Sequence, residues 1–144
     1  MKYISILLTL FCYSTMNAQN LSNHIWTNRL LFIYDVMPHQ SLLKDQLAIL
    51  SADTIGLEER KLVVYQFQEG KYRKGVEITN EWTKSTLPFL LQKRLKPNQK
   101  FGVFLIGLDG GIKLHHQELV PLTTIFALID GMPMRQIELR KRND

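Results

Sequence analysis

The sequence predicts an α/β domain, a three-layer α/β/α sandwich around a mixed four-stranded sheet, in the order β-α-β-α-β-β-α. Three observations predict it. Apolar runs rich in β-formers occur at Leu30-Leu31-Phe32-Ile33-Tyr34, within Lys61 to Phe67 and over Phe101 to Leu108, as expected of strands buried on both faces. Segments with leucines at helical spacing lie between them. Asp109-Gly110-Gly111 joins two apolar runs, and glycine accepts the positive φ that a tight hairpin needs.

Ahead of these elements stands a leader. Lys2 is followed by an apolar run from Tyr3 to Tyr13 and by the small, polar stretch Ser14 to Ala18. Positive charge, apolar core and a small residue at the cut are the order of a secretory signal peptide. The run is about 11 residues, whereas a membrane-crossing helix needs roughly 20. Residues 1–18 are therefore expected to be a signal peptide cleaved after Ala18, with no stable membrane insertion afterwards. Residues 19–144 are expected to form one exported domain, periplasmic or extracellular. A lipoprotein cut before Cys12 would follow Phe11, which is too large for it. The remaining 126 residues can bury roughly two-thirds of their unfolded surface without staples.

The elements follow in order. Leu30 to Tyr34 is the first strand, ended by Asp35. Pro38-His39-Gln40-Ser41 opens a helix through about Leu50, with Leu43, Leu47 and Leu50 on one face and Pro38 tolerated in the first turn. Asp53 to Arg60 is a turn or second short helix, and Lys61 to Phe67 a second strand. Gln68 to Asn80, with Gly70 and Gly75, reads as a loop or a two-stranded excursion. Leu87, Leu90, Leu91 and Leu95 share a helical face, with Pro88 in the first turn and Ser85 or Thr86 as cap. Phe101 to Leu108 is the most apolar strand, and the hairpin returns it through Ile112 to His115. Pro121 to Ile129 is a last helix, with Gly131 at the C-cap position and a frayed basic tail beyond. A helix between two buried strands implies a parallel pair, and the hairpin adds an antiparallel one. That is the thioredoxin-like plan.

Four segments carry a family resemblance. They are Trp26-Thr27-Asn28-Arg29-Leu30-Leu31, Glu59-Arg60-Lys61-Leu62-Val63, the run Phe101 to Leu114 with its Ile-Gly-Leu-Asp-Gly-Gly turn, and Ile129-Asp130-Gly131-Met132-Pro133-Met134-Arg135. The chain resembles a single-domain bacterial member of domain of unknown function 4174, whose relatives include domains in animal extracellular sushi-repeat proteins. The resemblance covers about Leu21 to Glu138. It implies a thioredoxin-like or peroxiredoxin-like fold in an exported setting and supplies no catalytic residues. The family's hairpin usually carries lysine before the aspartate; here Leu108 stands there.

The one cysteine, Cys12, lies in the leader, so the exported chain has no thiol. Without a thiolate it neither exchanges disulfides nor reduces peroxides. The place where a thioredoxin-like fold carries its reactive pair holds Asp35-Val36-Met37-Pro38-His39-Gln40. A helix N-terminus presents unbonded amides and a positive dipole end. Asp35 and His39, with Gln40 beside them, are the candidate acid/base group there. The plain reading is that Asp35 ends a strand and His39 lies on an exposed first turn. Pro97 is too far ahead of Phe101 to serve as the cis-proline of that fold.

His24, His39, His115 and His116 form no metal-ligand spacing, and neighbours on a strand point to opposite faces. No metal and no cofactor is expected. Arg135, with Asp109 and Lys113 of the hairpin, is the candidate anion-binding group; the structural alternative is that Arg135 ties down the C-terminus through Asp130 or Asp109. Trp26 and Trp82 read as packing residues. Removal of Lys2 leaves 17 basic against 13 acidic residues, a net charge of +4. So modest a surplus suits anionic glycans or lipid headgroups better than nucleic acid.

Together these readings favour an exported, non-catalytic domain that binds a protein or anionic glycan partner. The alternative is a cysteine-free enzyme using Asp35 and His39, and after it a degenerate oxidoreductase that borrows a partner's cysteine.

Overall fold

Strand β1, Arg29–Asp35, has a paired neighbour on each side and everything else is arranged about it. The computed structural model describes residues 23–36, 42–78 and 81–143. The leader with Cys12, and Met37 to Ser41 with His39 and Gln40, lie outside the described residues. β1 runs parallel to β2 (Leu62–Gln68) and antiparallel to β5 (Phe101–Ile106). β3 (Lys71–Lys74) folds back on β2, β4 (Thr83–Lys84) on β3, and β6 (Ile112–His116) on β5. The result is a six-stranded mixed sheet of order β4-β3-β2-β1-β5-β6. Among the described residues five helices accompany it: α1 (Leu42–Ser51), α2 (Thr54–Glu59), α3 (Phe89–Gln92), α4 (Leu122–Asp130) and α5 (Pro133–Asn143).

The period of two along β1 divides the core. Leu31 and Ile33 join a cluster with Leu43, Leu47 and Leu50 of α1, Leu57 of α2, and Ile125 and Ile129 of α4. Leu30 and Phe32 point the other way, into a cluster with Phe67, Phe104, Leu87 and Leu91. This is why the run at the start of the domain is apolar without alternation.

The sheet has six strands and not the expected four. The charged segment Lys71-Tyr72-Arg73-Lys74 pairs with β2 because Gly70, at φ +68, turns the chain back. Arg73 is nonetheless buried: its Nε–H donates to Gln66 Oε1 at 2.7 Å and its guanidinium lies 4.4 Å from the Trp82 ring centre. Trp82 is thus a partly buried packing residue, as expected.

The helix expected over Leu87 to Leu95 shrinks to the four residues of α3. Pro88 occupies its N-cap without a side-chain bond, so neither Ser85 nor Thr86 caps it. Arg94 and Leu95 amides bond three residues back, to Leu91 and Gln92, which tightens the turn into a poor continuation. Leu87 and Leu91 are buried, but Leu90 is not.

Gly131 caps α4 with an ordinary φ of −76°, not the left-handed turn expected of such a glycine. The chain therefore continues almost at once into α5, where the expectation was a frayed tail. Pro133 is its first residue, a position that needs no amide donor. Among the described residues no helix is long and apolar enough to cross a membrane.

One buried amide joins the layers. Gln46 of α1 donates through Nε2 to Val120 O at 3.0 Å and accepts from Val120 N through Oε1 at 2.8 Å. The side chain thus satisfies both backbone groups of a buried residue at the entry to α4. Gln46→Ala strands them, and each buried group left without a partner costs about 1–3 kcal/mol. Urea unfolding of this variant is expected to show a loss of about 2–4 kcal/mol; a loss below half a kcal/mol would mean that water replaces the amide.

Candidate functional site

The chain enters β1 through a turn that leaves Trp26 in an unusual state. Its φ is +64°, in the left-handed region, and its amide donates to Leu108 O at 2.7 Å. For a bulky side chain this conformation costs about 1–3 kcal/mol and persists only where its surroundings impose it. The side chain is 66 % exposed, which corrects its expected packing role.

The hairpin beside it is built as the sequence suggested. Gly110, at φ +77, donates its amide to Gly107 O at 3.0 Å, and Gly107 N donates to Gly111 O at 2.9 Å. Asp109 Oδ1 accepts from Gly111 N at 3.0 Å, and Oδ2 accepts from Lys113 Nζ at 2.7 Å. The Lys113 side chain crosses Gly107, where a Cβ would meet Lys113 Cε at 2.6 Å. Glycine at 107 therefore leaves room for the lysine stem to pass. Leu108 is buried, so the cation of this turn comes from Lys113 and not from the residue before Asp109. The Lys113 and Gly111 hydrogen bonds hold the Asp109 carboxyl below the usual aspartate range.

Arg29, the first residue of β1, is fully buried. Its Nη1 donates to Arg60 O at 2.9 Å and lies 3.3 Å from Glu138 Oε2 on α5. Glu138 also meets Arg135 at 3.3 Å and Lys61 at 3.8 Å. Arg135 is buried, donates to Glu59 O at 2.8 Å and lies 3.3 Å from Asp130. Asp130 in turn binds Arg60 at 2.7 Å, and Arg60 stacks over Phe126 with 3.9 Å to the ring centre. Burial pushes the Asp130 pKa up, but the hydrogen bonds and charges of Arg60 and Arg135 outweigh it and the net shift is downward. Four cations thus share two carboxylates. The Nε–H groups of Arg29 and Arg60 are buried with no hydrogen-bond acceptor among the described residues.

Between the hairpin and the α4–α5 corner lies a cavity of about 570 Å³. Trp26, Leu108, Leu128, Met132, Pro133 and Met134 give it apolar walls, and Arg29, Asp109 and Lys113 supply its polar atoms. Its size is that of a small-ligand or side-chain pocket.

Of the residues singled out from the sequence, Asp109 and Lys113 line this cavity and touch each other. Arg135 does not line it; it is buried next to Met134 and joined to Glu138, which holds Arg29. Its pairing is with Asp130, one of the two partners foreseen. Asp35 is at the other end of β1, about 20 Å away by strand rise. Its buried carboxylate accepts the Leu43 amide at 3.3 Å in the first turn of α1. Its candidate partners His39 and Gln40 lie outside the described residues. His115 stacks on Phe104 at 4.2 Å and is 3.2 Å from Gln99; burial, with Lys96, His116 and Arg94, lowers its pKa from the ordinary value. His116 is exposed. Among the described residues no three His, Cys, Asp or Glu side chains cluster as a metal site would. Arg29 was missed because a lone arginine at a strand start carries no sequence pattern, and Trp26 because left-handed backbone leaves none.

The fold and this cavity define a mixed-sheet α/β domain with a ligand-sized recess at one sheet end. The chain belongs to the family described as Domain of unknown function (DUF4174), which matches residues 20–138 and so includes every residue of the recess. No curated protein and no solved structure matches the chain.

Because Asp130 is more acidic in the folded chain than unfolded, its ion pairs add stability that is complete above the ordinary value of 3.8. That stability is lost as pH falls through the lower folded value. Asp130→Asn is expected to cut the urea midpoint at pH 7 and to shallow its fall below about pH 4. An acid limb as steep as in the parent chain would contradict this.

Proposed function

We propose that this chain is an exported, non-catalytic domain with a thioredoxin-like core that binds a partner protein through the recess at Trp26. Three facts support the parts of this reading. The leader has the order of a signal peptide, and it carries the only cysteine. The four consecutive strands β2-β1-β5-β6 have the parallel-then-antiparallel pairing of the thioredoxin-like plan, with β3 and β4 added beyond β2. The charged groups at the recess are held in ion pairs, Lys113 with Asp109 and Arg29 with a Glu138 that it shares, which suits holding a ligand better than moving a proton.

The observation that carries the reading is Trp26. An indole two-thirds exposed in strained backbone contributes little packing, and exposed aromatic groups over an apolar recess mark interaction sites. The methionine-lined walls favour an apolar protein side chain over an anionic glycan. At the opposite sheet end the Asp35 carboxylate accepts the Leu43 amide, and His39 and Gln40, the partners a cysteine-free enzyme would need, lie outside the described residues.

Trp26→Gly separates the two roles, because glycine accepts φ +64° without strain. The immobilised domain is expected to retain a partner from the host's envelope extract, and Trp26→Gly to lose it while its urea midpoint is unchanged or higher. Equal retention by both would sink the reading. Displacement of the partner by a uronate oligosaccharide would transfer it to a glycan.

A further inference from the structure

The charge around the recess is out of balance. Among the described residues Arg29, Arg60, Lys61 and Arg135 have Asp130 and Glu138 as their acidic partners, and Lys113 has Asp109; Arg29 and Lys113 line the recess and the others stand behind it. Lys61 is more than half exposed and therefore solvated, but the three guanidinium groups are largely or wholly buried. The Arg60, Gly56 and Glu59 carbonyls accept some of their N–H groups, yet by formal charge the three cations outnumber the two carboxylates by one. Burying a guanidinium without full compensation is costly, and Arg29, which forms part of the recess wall, also keeps an Nε–H without an acceptor among the described residues. In a recess with apolar walls such a positive surplus acts through low dielectric and is screened little by salt.

Resting on the binding role proposed above, we infer that the recess takes an apolar side chain lying next to a carboxylate in a peptide segment of the partner. The apolar group fills the space between Trp26 and Met132–Met134. The carboxylate sits near Lys113 and answers the surplus of the arginine cluster. Asp109 then has a definite part. Its carboxylate holds Lys113 at 2.7 Å, so it competes with the incoming acid for the same ammonium group. Gly107 leaves the lysine stem room beside the turn, so the exchange needs only a side-chain movement.

The test uses blocked tripeptides, N-acetyl-Leu-Leu-Phe as free acid and as amide, which differ in one charge. Decanoate serves as a third probe. The chain has two tryptophans, so the two indole N–H resonances report binding at Trp26 against Trp82 without any substitution. The free acid is expected to shift the Trp26 signal with at least about tenfold higher affinity than the amide, the increment of one charge-assisted hydrogen bond. Lys113→Gln is expected to erase that difference, and Asp109→Asn to increase affinity for the acid about threefold or more by releasing Lys113. A structural role for the pair would make both substitutions weaken binding together.

Equal affinity for acid and amide would overturn the inference and leave the recess as a purely apolar binding site. Weaker binding of the acid by Asp109→Asn would overturn it too. Decanoate binding more tightly than either peptide would assign the site to a fatty acid instead. No binding of any probe would end the inference, while retention of the partner by the parent domain and not by Trp26→Gly would still uphold the binding role.

Discussion

A buried guanidinium at the first residue of the central strand constrains the whole molecule. Arg29 begins the strand on which β2 and β5 are laid, and water does not reach it. Its charge has to be met from within the protein, and the carboxylate that meets it comes from Glu138, 109 residues later in the chain. α5 is docked by this need more than by its apolar content, since Arg135 is its one fully buried side chain. The C-terminal helix is in effect a holder for counter-charge. Arg135 and Glu138, one turn apart, interlock with Asp130 at the end of α4 and with the backbone of Glu59 at the end of α2.

From that docking the recess follows. α4 and α5 meet at Gly131 and Met132 without a left-handed turn, and the corner projects Pro133 and Met134 toward the hairpin. On the opposite wall the Leu108 carbonyl pins the Trp26 amide and forces the indole outward. The recess is thus a product of three local devices: a glycine hairpin, a strained aromatic turn and a charge-locked helix corner. All three lie away from the Asp35 end of β1, where the Asp35 carboxylate accepts the Leu43 amide.

The sequence disclosed those features that are local. The Leu30 to Tyr34 run, the helical leucines Leu43, Leu47 and Leu50 and the Asp-Gly-Gly hairpin all became the elements they suggested, because period and turn chemistry act over a few residues. Asp109 and Lys113 were found for the same reason, being four residues apart in one turn. What failed was decided by distant partners. Lys71 to Lys74 reads as either loop or strand, and its burial at Arg73 is legible only once Gln66 and Trp82 supply partners. The tail after Gly131 reads as frayed until Arg29, on the far side of the sequence, calls for a carboxylate. The leucines of 87–95 promised a longer helix, but the Arg94 and Leu95 amides bond three residues back and the chain turns at Asn98, at φ +65, so α3 stops after one turn.

A double-mutant cycle between Arg29 and Glu138, followed by denaturant unfolding, tests the constraint most directly. Removing the carboxylate alone, by Glu138→Leu, leaves the buried guanidinium uncompensated and should cost about 3–5 kcal/mol. Removing both groups, by Arg29→Met with Glu138→Leu, replaces the pair with apolar side chains and should be less damaging than Glu138→Leu alone. Additive losses, with the double variant the least stable of the set, would contradict the account and reduce the pair to two independent contacts.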